Sequence, residues 1–170
     1  MRCKRLRPIG LVMLSALLLP FSALGQEPTV QVETPQLEGS RTLEPVTATA
    51  VVRDYLESWQ TLRPALDQNR AGLLDADFVG DAHDKLASTV HDQIAAGLHT
   101  RYSDRSHDVR IVFYSPDGLS IQLIDDVVYD QQVFSGAKEL ATESVHARYV
   151  VVLSPSEVRW RVRVLQGLPD

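Results

Sequence analysis

Asp125 is the residue of this chain whose setting is most suggestive of chemistry. It stands in Leu119–Tyr129, LSIQLIDDVVY, whose odd positions Leu119, Ile121, Leu123, Val127 and Tyr129 form one apolar face at the two-residue period of a strand. A carboxylate on such a face has its pKa raised by desolvation and lowered by a hydroxyl that donates to it, and Tyr149 is the neighbour expected to do so. The other readings of Asp125 are a hydrogen-bonded structural carboxylate, or a bulge at Asp125-Asp126 that turns it to water.

Other chemistry-bearing patterns fare less well. His83, His91, His99 and His107 recur every eight residues, but eight residues advance a helix about 80° past two turns, so these side chains spiral. Zinc sites on helices use spacings of three or four, so no metal is expected. Nucleophile elbows, phosphate loops and Cys-x-x-Cys or His-Glu-x-x-His motifs are absent from the sequence, and no cofactor is implied.

The elements that would position Asp125 follow in order. Arg2, Lys4, Arg5 and Arg7, the apolar run Ile9–Leu19, Pro20 and Ala23-Leu24-Gly25 have the three-part pattern of a signal peptide over residues 1–25. Export to the periplasm or beyond, with Gln26 as the first mature residue, is the expectation. Removing four basic residues from the 17, against 22 acidic ones, leaves a net charge of −9. That balance argues against nucleic acid or a membrane surface as a partner. The single cysteine, Cys3, leaves with the signal, so a packed core must stabilise the mature chain.

Residues 26–44 read as a flexible leader, and 45–167 as one domain. Pro45 opens a helix with Ala48, Val52, Tyr55, Trp59, Leu62 and Leu66 on one face, and Pro64 is expected to stop or kink it at about Leu62 or Arg63. A connector, Asp75–Gly80, leads to a second helix from Asp81 to about His99. From Asp108 the period alternates through three hairpins. Their register sets Phe113, Ile111 and Val109 against Ile121, Leu123 and Asp125, then Asp125 beside Tyr149 and Asp126 beside Arg148. In the last strand Val158, Trp160, Val162 and Val164 point inward, and Arg159, Arg161 and Arg163 outward. The outer face, with Arg148, Val150, Val152 and Arg161, is suited to pairing with a second copy as a homodimer.

Helices followed by an antiparallel meander make an α+β domain. The Tyr55–Trp59 helix, the LLDADFVGDA connector and the terminal Glu157-Val158-Arg159-Trp160-Arg161-Val162 resemble the nuclear transport factor 2-like superfamily, including its polyketide cyclase-like and exported members. The resemblance covers roughly Val46–Leu165. It implies helices closing one end of a curved sheet of four or more strands, a cone with a pocket; the alternative fold is a cystatin-like helix on a sheet. It further implies that Tyr55, Asp75 or Asp77, and Asp125 are the positions matching ketosteroid isomerase-like acid–base residues. Trp59, Tyr129, Tyr149 and Trp160 are the expected pocket lining. The preferred functional expectation is a non-enzymatic exported domain that binds a small apolar molecule or a cell-envelope protein. The alternative is a small-molecule isomerase, dehydratase or cyclase.

Overall fold

A computed structural model describes residues 27–35 and 42–169. The expected signal peptide and cleavage site lie outside the described residues. The order is β1 (Thr29–Val32), α1 (Pro45–Asp67), a 3-10 turn (Ala71–Ala76), α2 (Gly80–Ala96), β2 (His99–Tyr114), β3 (Ile121–Ser135), β4 (Lys138–Pro155) and β5 (Trp160–Leu168). The strands form one sheet in the order β1-β2-β3-β4-β5, antiparallel except for the parallel β1–β2 pair.

Pro45 occupies the first turn of α1, where a missing N–H costs nothing. The apolar stripe then buries Val51, Val52, Tyr55, Trp59, Leu62, Ala65 and Leu66 against the sheet. Pro64 does not end the helix at Leu62. It sits within one turn of the C-terminus, where losing a single hydrogen bond is tolerable, and the N–H groups of Gln68 and Arg70 close the helix on Pro64 and Ala65. Helix α2 stops earlier than His99, at Ala96, because Gly97 takes the left-handed conformation (φ 68°) that lets its N–H cap the last carbonyls.

Strand β2 is longer than its alternation suggests, since it starts at His99 rather than Asp108. Its first half is polar, and bulges between Asp104 and Ser106 and between Ile111 and Phe113 break the period twice. Val109 and Ile111 meet Asp125 and Leu123 as expected, whereas the second bulge brings Tyr114, not Phe113, opposite Ile121. Leu119 falls in the turn and is 61% exposed. The β3–β4 register keeps Asp125 beside Tyr149 and Asp126 beside Arg148, and a bulge at Leu140 pairs Phe134 with Glu139.

Bulges bend a sheet, and those in β2, β4 and β5 curl it around α1 without closing it. The last strand departs most from expectation. A bulge at Arg163, opposite the Val152–Leu153 step, pairs Val164 with Val152 on the outer face, and Val158 is exposed at the turn. Arg161 is not beside Val150 and Val152; its guanidinium donates to the carbonyls of Asp75 and Phe78 in the connector. The leader is not wholly a tether either, because Thr29–Val32 add a strand along Ser106–Val109.

Candidate active site: a buried Tyr–Asp–His–Asp array beside a cleft

Asp125 lies on the inner face of β3 and is fully buried. Its Oδ2 accepts two hydrogen bonds of 2.7 Å, from the Tyr55 hydroxyl on α1 and from His107 Nδ1 on β2. The array continues along β2. His107 Nε2 stands 3.9 Å from Asp104 Oδ2, an electrostatic contact too long for a hydrogen bond, and the Arg63 guanidinium of α1 holds the same Asp104 oxygen. Two carboxylates thus face an imidazole and a guanidinium inside the fold, with His107 and Asp104 side chains each 1% exposed.

The bulge makes this possible. Residues three apart on a regular strand face opposite ways, so Asp104 and His107 would lie on different sides of the sheet. Asp104 pairs with Tyr129 and Ser106 with Val128, leaving Arg105 as the extra residue, and both Asp104 and His107 turn inward.

Burial works against a charged imidazole, but Asp104 and Asp125 outweigh it and raise His107 to about 9. Burial likewise opposes ionisation of Asp104, and His107 and Arg63 outweigh it, holding its carboxyl below the usual range. The Tyr55 hydroxyl is pushed well up, first by burial and then by the negative charge of Asp125 to which it donates. His107 is therefore an imidazolium at neutral pH beside an ionised Asp104. Asp104 Oδ1, Asp125 Oδ1 and Arg63 Nε are buried without a hydrogen-bond partner among the described residues.

One edge of the array reaches open space. A cleft of about 560 Å³ has His107 and Asp104 on its floor, Leu56, Gln60 and Arg63 of α1 as one wall, and Glu27, Pro28 and Val30 as the other. Nδ1 is turned to Asp125, so Nε2 is the ring nitrogen that Asp125 does not hold.

The cone interior is a separate space. Trp59 stands between the two, its ring 5.1 Å from His107 and 5.9 Å from both Tyr129 and Tyr149. The cavity beyond it, which Tyr102 and Leu165 also line, holds only about 180 Å³, below the roughly 300–1,000 Å³ of small-molecule pockets. Tyr149 does not serve Asp125 as expected, because its hydroxyl lies 3.4 Å from that of Tyr129.

Three of the sequence-derived pocket residues, Trp59, Tyr129 and Tyr149, line that cavity; Trp160 packs elsewhere, its backbone N–H donating to Asp54. Asp77 is buried away from Asp125. It accepts from Thr61 and Arg159 at 2.5 Å each, tying the connector to α1 and to the turn before β5. Arg148, Val150 and Val152 share the outer sheet face, where Arg148 pairs with Asp126 at 2.7 Å. Among the described residues no group of three or more His, Cys, Asp and Glu side chains is arranged to hold a metal ion.

No protein-family model matches the chain, and no curated protein sequence does. Solved structures do. The intermembrane space region of the chloroplast protein ARC6 superposes with a TM-score of 0.63 at 14% identity, covering 76% of this chain and all of that one. A Novosphingobium aromaticivorans protein provisionally designated a scytalone dehydratase matches with a TM-score of 0.51 at 15% identity over 74% and 89% of the two chains. ActVI-ORFA from Streptomyces coelicolor matches at 0.49 and 16% identity, over 72% and 96%. The chain has the nuclear transport factor 2-like fold.

Proposed function

We propose that the domain is a small-molecule acid–base catalyst of the lyase or isomerase type, with His107 as general acid and Asp104 as base. The observation that carries this reading is the Asp125-anchored His107 ring, which borders a cleft together with a second carboxylate, Asp104. A buried carboxylate on Nδ1 fixes ring and tautomer and leaves Nε2 for a substrate. Environments that push a histidine up and a neighbouring carboxylate down supply an acid and a base at one pH. In the reaction Asp104 takes a proton from a carbon next to a carbonyl. The His107 proton on Nε2 goes to the departing hydroxyl in an elimination; in an isomerisation it goes to the carbonyl oxygen, after which Asp104 returns its proton to the γ carbon and His107 takes the enol proton back, with no external oxidant or reductant. Asp125 and Tyr55 position the ring and do not touch substrate.

The small cone cavity favours this reading over a domain that holds its ligand inside the cone, because Trp59 occupies that space. Enzymes are represented in the fold, which supports the chemistry only as analogy. Export after cleavage at Gly25 and pairing of two copies through the face around Arg148, Val150 and Val152 belong to the same proposal. None of the described helices is long and apolar enough to cross a membrane.

The test is turnover of a panel of β-hydroxyketones and β,γ-unsaturated ketones, followed by the ultraviolet absorbance of the conjugated enone. His107→Gln, folded by circular dichroism, is expected to lose about 10²–10⁴-fold in rate. Absence of turnover in the natural protein, or equal turnover in the variant, contradicts the proposal.

A further inference from the structure

The cleft over His107 does not end at Leu56. The same side chain lines a second space of about 440 Å³ that continues between α1 and the N-terminal segment. One wall runs down α1 through Arg63, Gln60, Leu56, Val52 and Thr49, spacings of three and four that keep them on one helix face. The opposite wall follows the N-terminal segment through Glu27, Pro28, Val30, Val32 and Pro35, and the floor passes from His107 to Ile111 on β2. From Arg63 to Thr49 the groove is about 20 Å long at 1.5 Å per residue.

All three surfaces change character in the same direction. The end at Arg63, Asp104 and His107 is polar. The end at Val32, Val52 and Ile111 is apolar, with Arg53 as the one charged side chain on its lining. At the polar end Asp104 Oδ1 lacks a donor and Arg63 Nε lacks an acceptor, and both residues line the cleft. Within the array two cations face two carboxylates, so the array itself selects no strongly charged head; Glu27 is the one further charged side chain on that lining.

We infer that the groove takes a single-tailed amphiphile, with an uncharged hydrogen-bonding head at His107 and Asp104 and an alkyl tail along Leu56 toward Val32 and Val52. This rests on the cleft being the site proposed above, and it adds the class of molecule that enters it. A head with both a donor and an acceptor satisfies Asp104 Oδ1 and Arg63 Nε together.

The probes are straight-chain primary amides from butanamide to decanamide, titrated calorimetrically into the mature protein. They offer that head and have no leaving group, so binding is read without turnover. Affinity is expected to rise about fourfold per methylene, the ordinary gain for burying one. Val32→Glu and Thr49→Glu, both at exposed positions lining the apolar end, are expected to flatten that rise and leave butanamide binding unchanged. Equal affinities for butanamide and decanamide, no binding by any amide, or a rise that neither substitution alters would overturn the inference. So would a concentration-dependent doubling of mass abolished by Val32→Glu, which assigns the groove to a second copy. His107→Gln that loses turnover yet keeps the chain-length dependence supports the groove. If turnover survives in that variant and the dependence is kept, the catalytic reading fails and the groove stands.

Discussion

His107 Nδ1 lies 2.7 Å from Asp125 Oδ2, with neither side chain more than 1% exposed, and the Tyr55 hydroxyl reaches the same oxygen. A buried carboxylate held this way orients a ring rather than exchanging protons with solvent. Asp125→Asn removes the negative charge opposite the imidazolium while keeping an acceptor. The variant is expected to lose about 3–5 kcal/mol of stability in denaturant titration, the usual result of breaking a buried pair. The His107 pKa should fall with it, and an unchanged midpoint would mean that the pair does not form.

Stability should depend on pH through His107. Its folded value, about 9, lies above the ordinary 6.5 of an unfolded chain. A raised value means that the folded state binds the proton more tightly, so this contribution is complete below about pH 6.5 and is lost as pH rises through 9. Thermal melts from pH 6 to 9.5 are expected to show a falling midpoint, with the fall much reduced in His107→Gln.

Tyr55→Phe deletes the hydroxyl and retains the ring. Asp125 then loses one of its two donors, and a cost of about 1–3 kcal/mol is expected for the under-satisfied buried carboxylate. Turnover should drop while KM for the β-hydroxyketone probe changes little, because the hydroxyl acts through Asp125 and not on substrate. A KM effect without a rate effect would place Tyr55 in contact with substrate.

Trp59 separates His107 from the tyrosine-lined cavity. Truncation by Trp59→Ala is expected to cost about 3–5 kcal/mol. It should also join the two spaces, read as uptake of an apolar dye that the natural protein excludes. Dye binding to the natural protein with equal affinity would show the cone already open.

The outer face makes a separate prediction. Val150 and Val152 are partly buried beside the Asp126–Arg148 pair, and both helices pack on the other side of the sheet. Light scattering is expected to give a dimer at high concentration and a monomer for Val152→Asp. A strict monomer of the natural protein removes the proposal.

Much of the fold was legible because apolar residues on an element with one buried face follow its period. The α1 stripe and the β3 alternation placed Tyr55, Trp59 and Asp125 inside, and hairpin geometry fixed the Asp125–Tyr149 register. What failed were positions where strands break their own period. The Arg105 bulge hid His107 and Asp104, since a three-residue spacing in a strand reads as two faces, and the eightfold histidine spacing drew attention to helices instead. A useful signal lay in the run Ser103–Asp108, where acids and a histidine stand beside apolar alternation. Val164 was misplaced by the bulge at Arg163 in β5, and Arg161 because β4 runs on to Pro155, which moves the turn and the register. Strand β1 was missed because a four-residue parallel edge strand, exposed throughout, carries no burial pattern. Asp77 was marked by its connector position, which proved to be an anchor for Arg159 and Thr61.

The most direct test of the account is the titration of the His107 imidazole nitrogens by nitrogen-15 NMR. It predicts both nitrogens protonated at pH 7, an apparent pKa near 9, an Nδ1 proton protected from exchange and an Nε2 proton exchanging with water. A neutral ring at pH 7, or an Nε2 proton as protected as that on Nδ1, would contradict it.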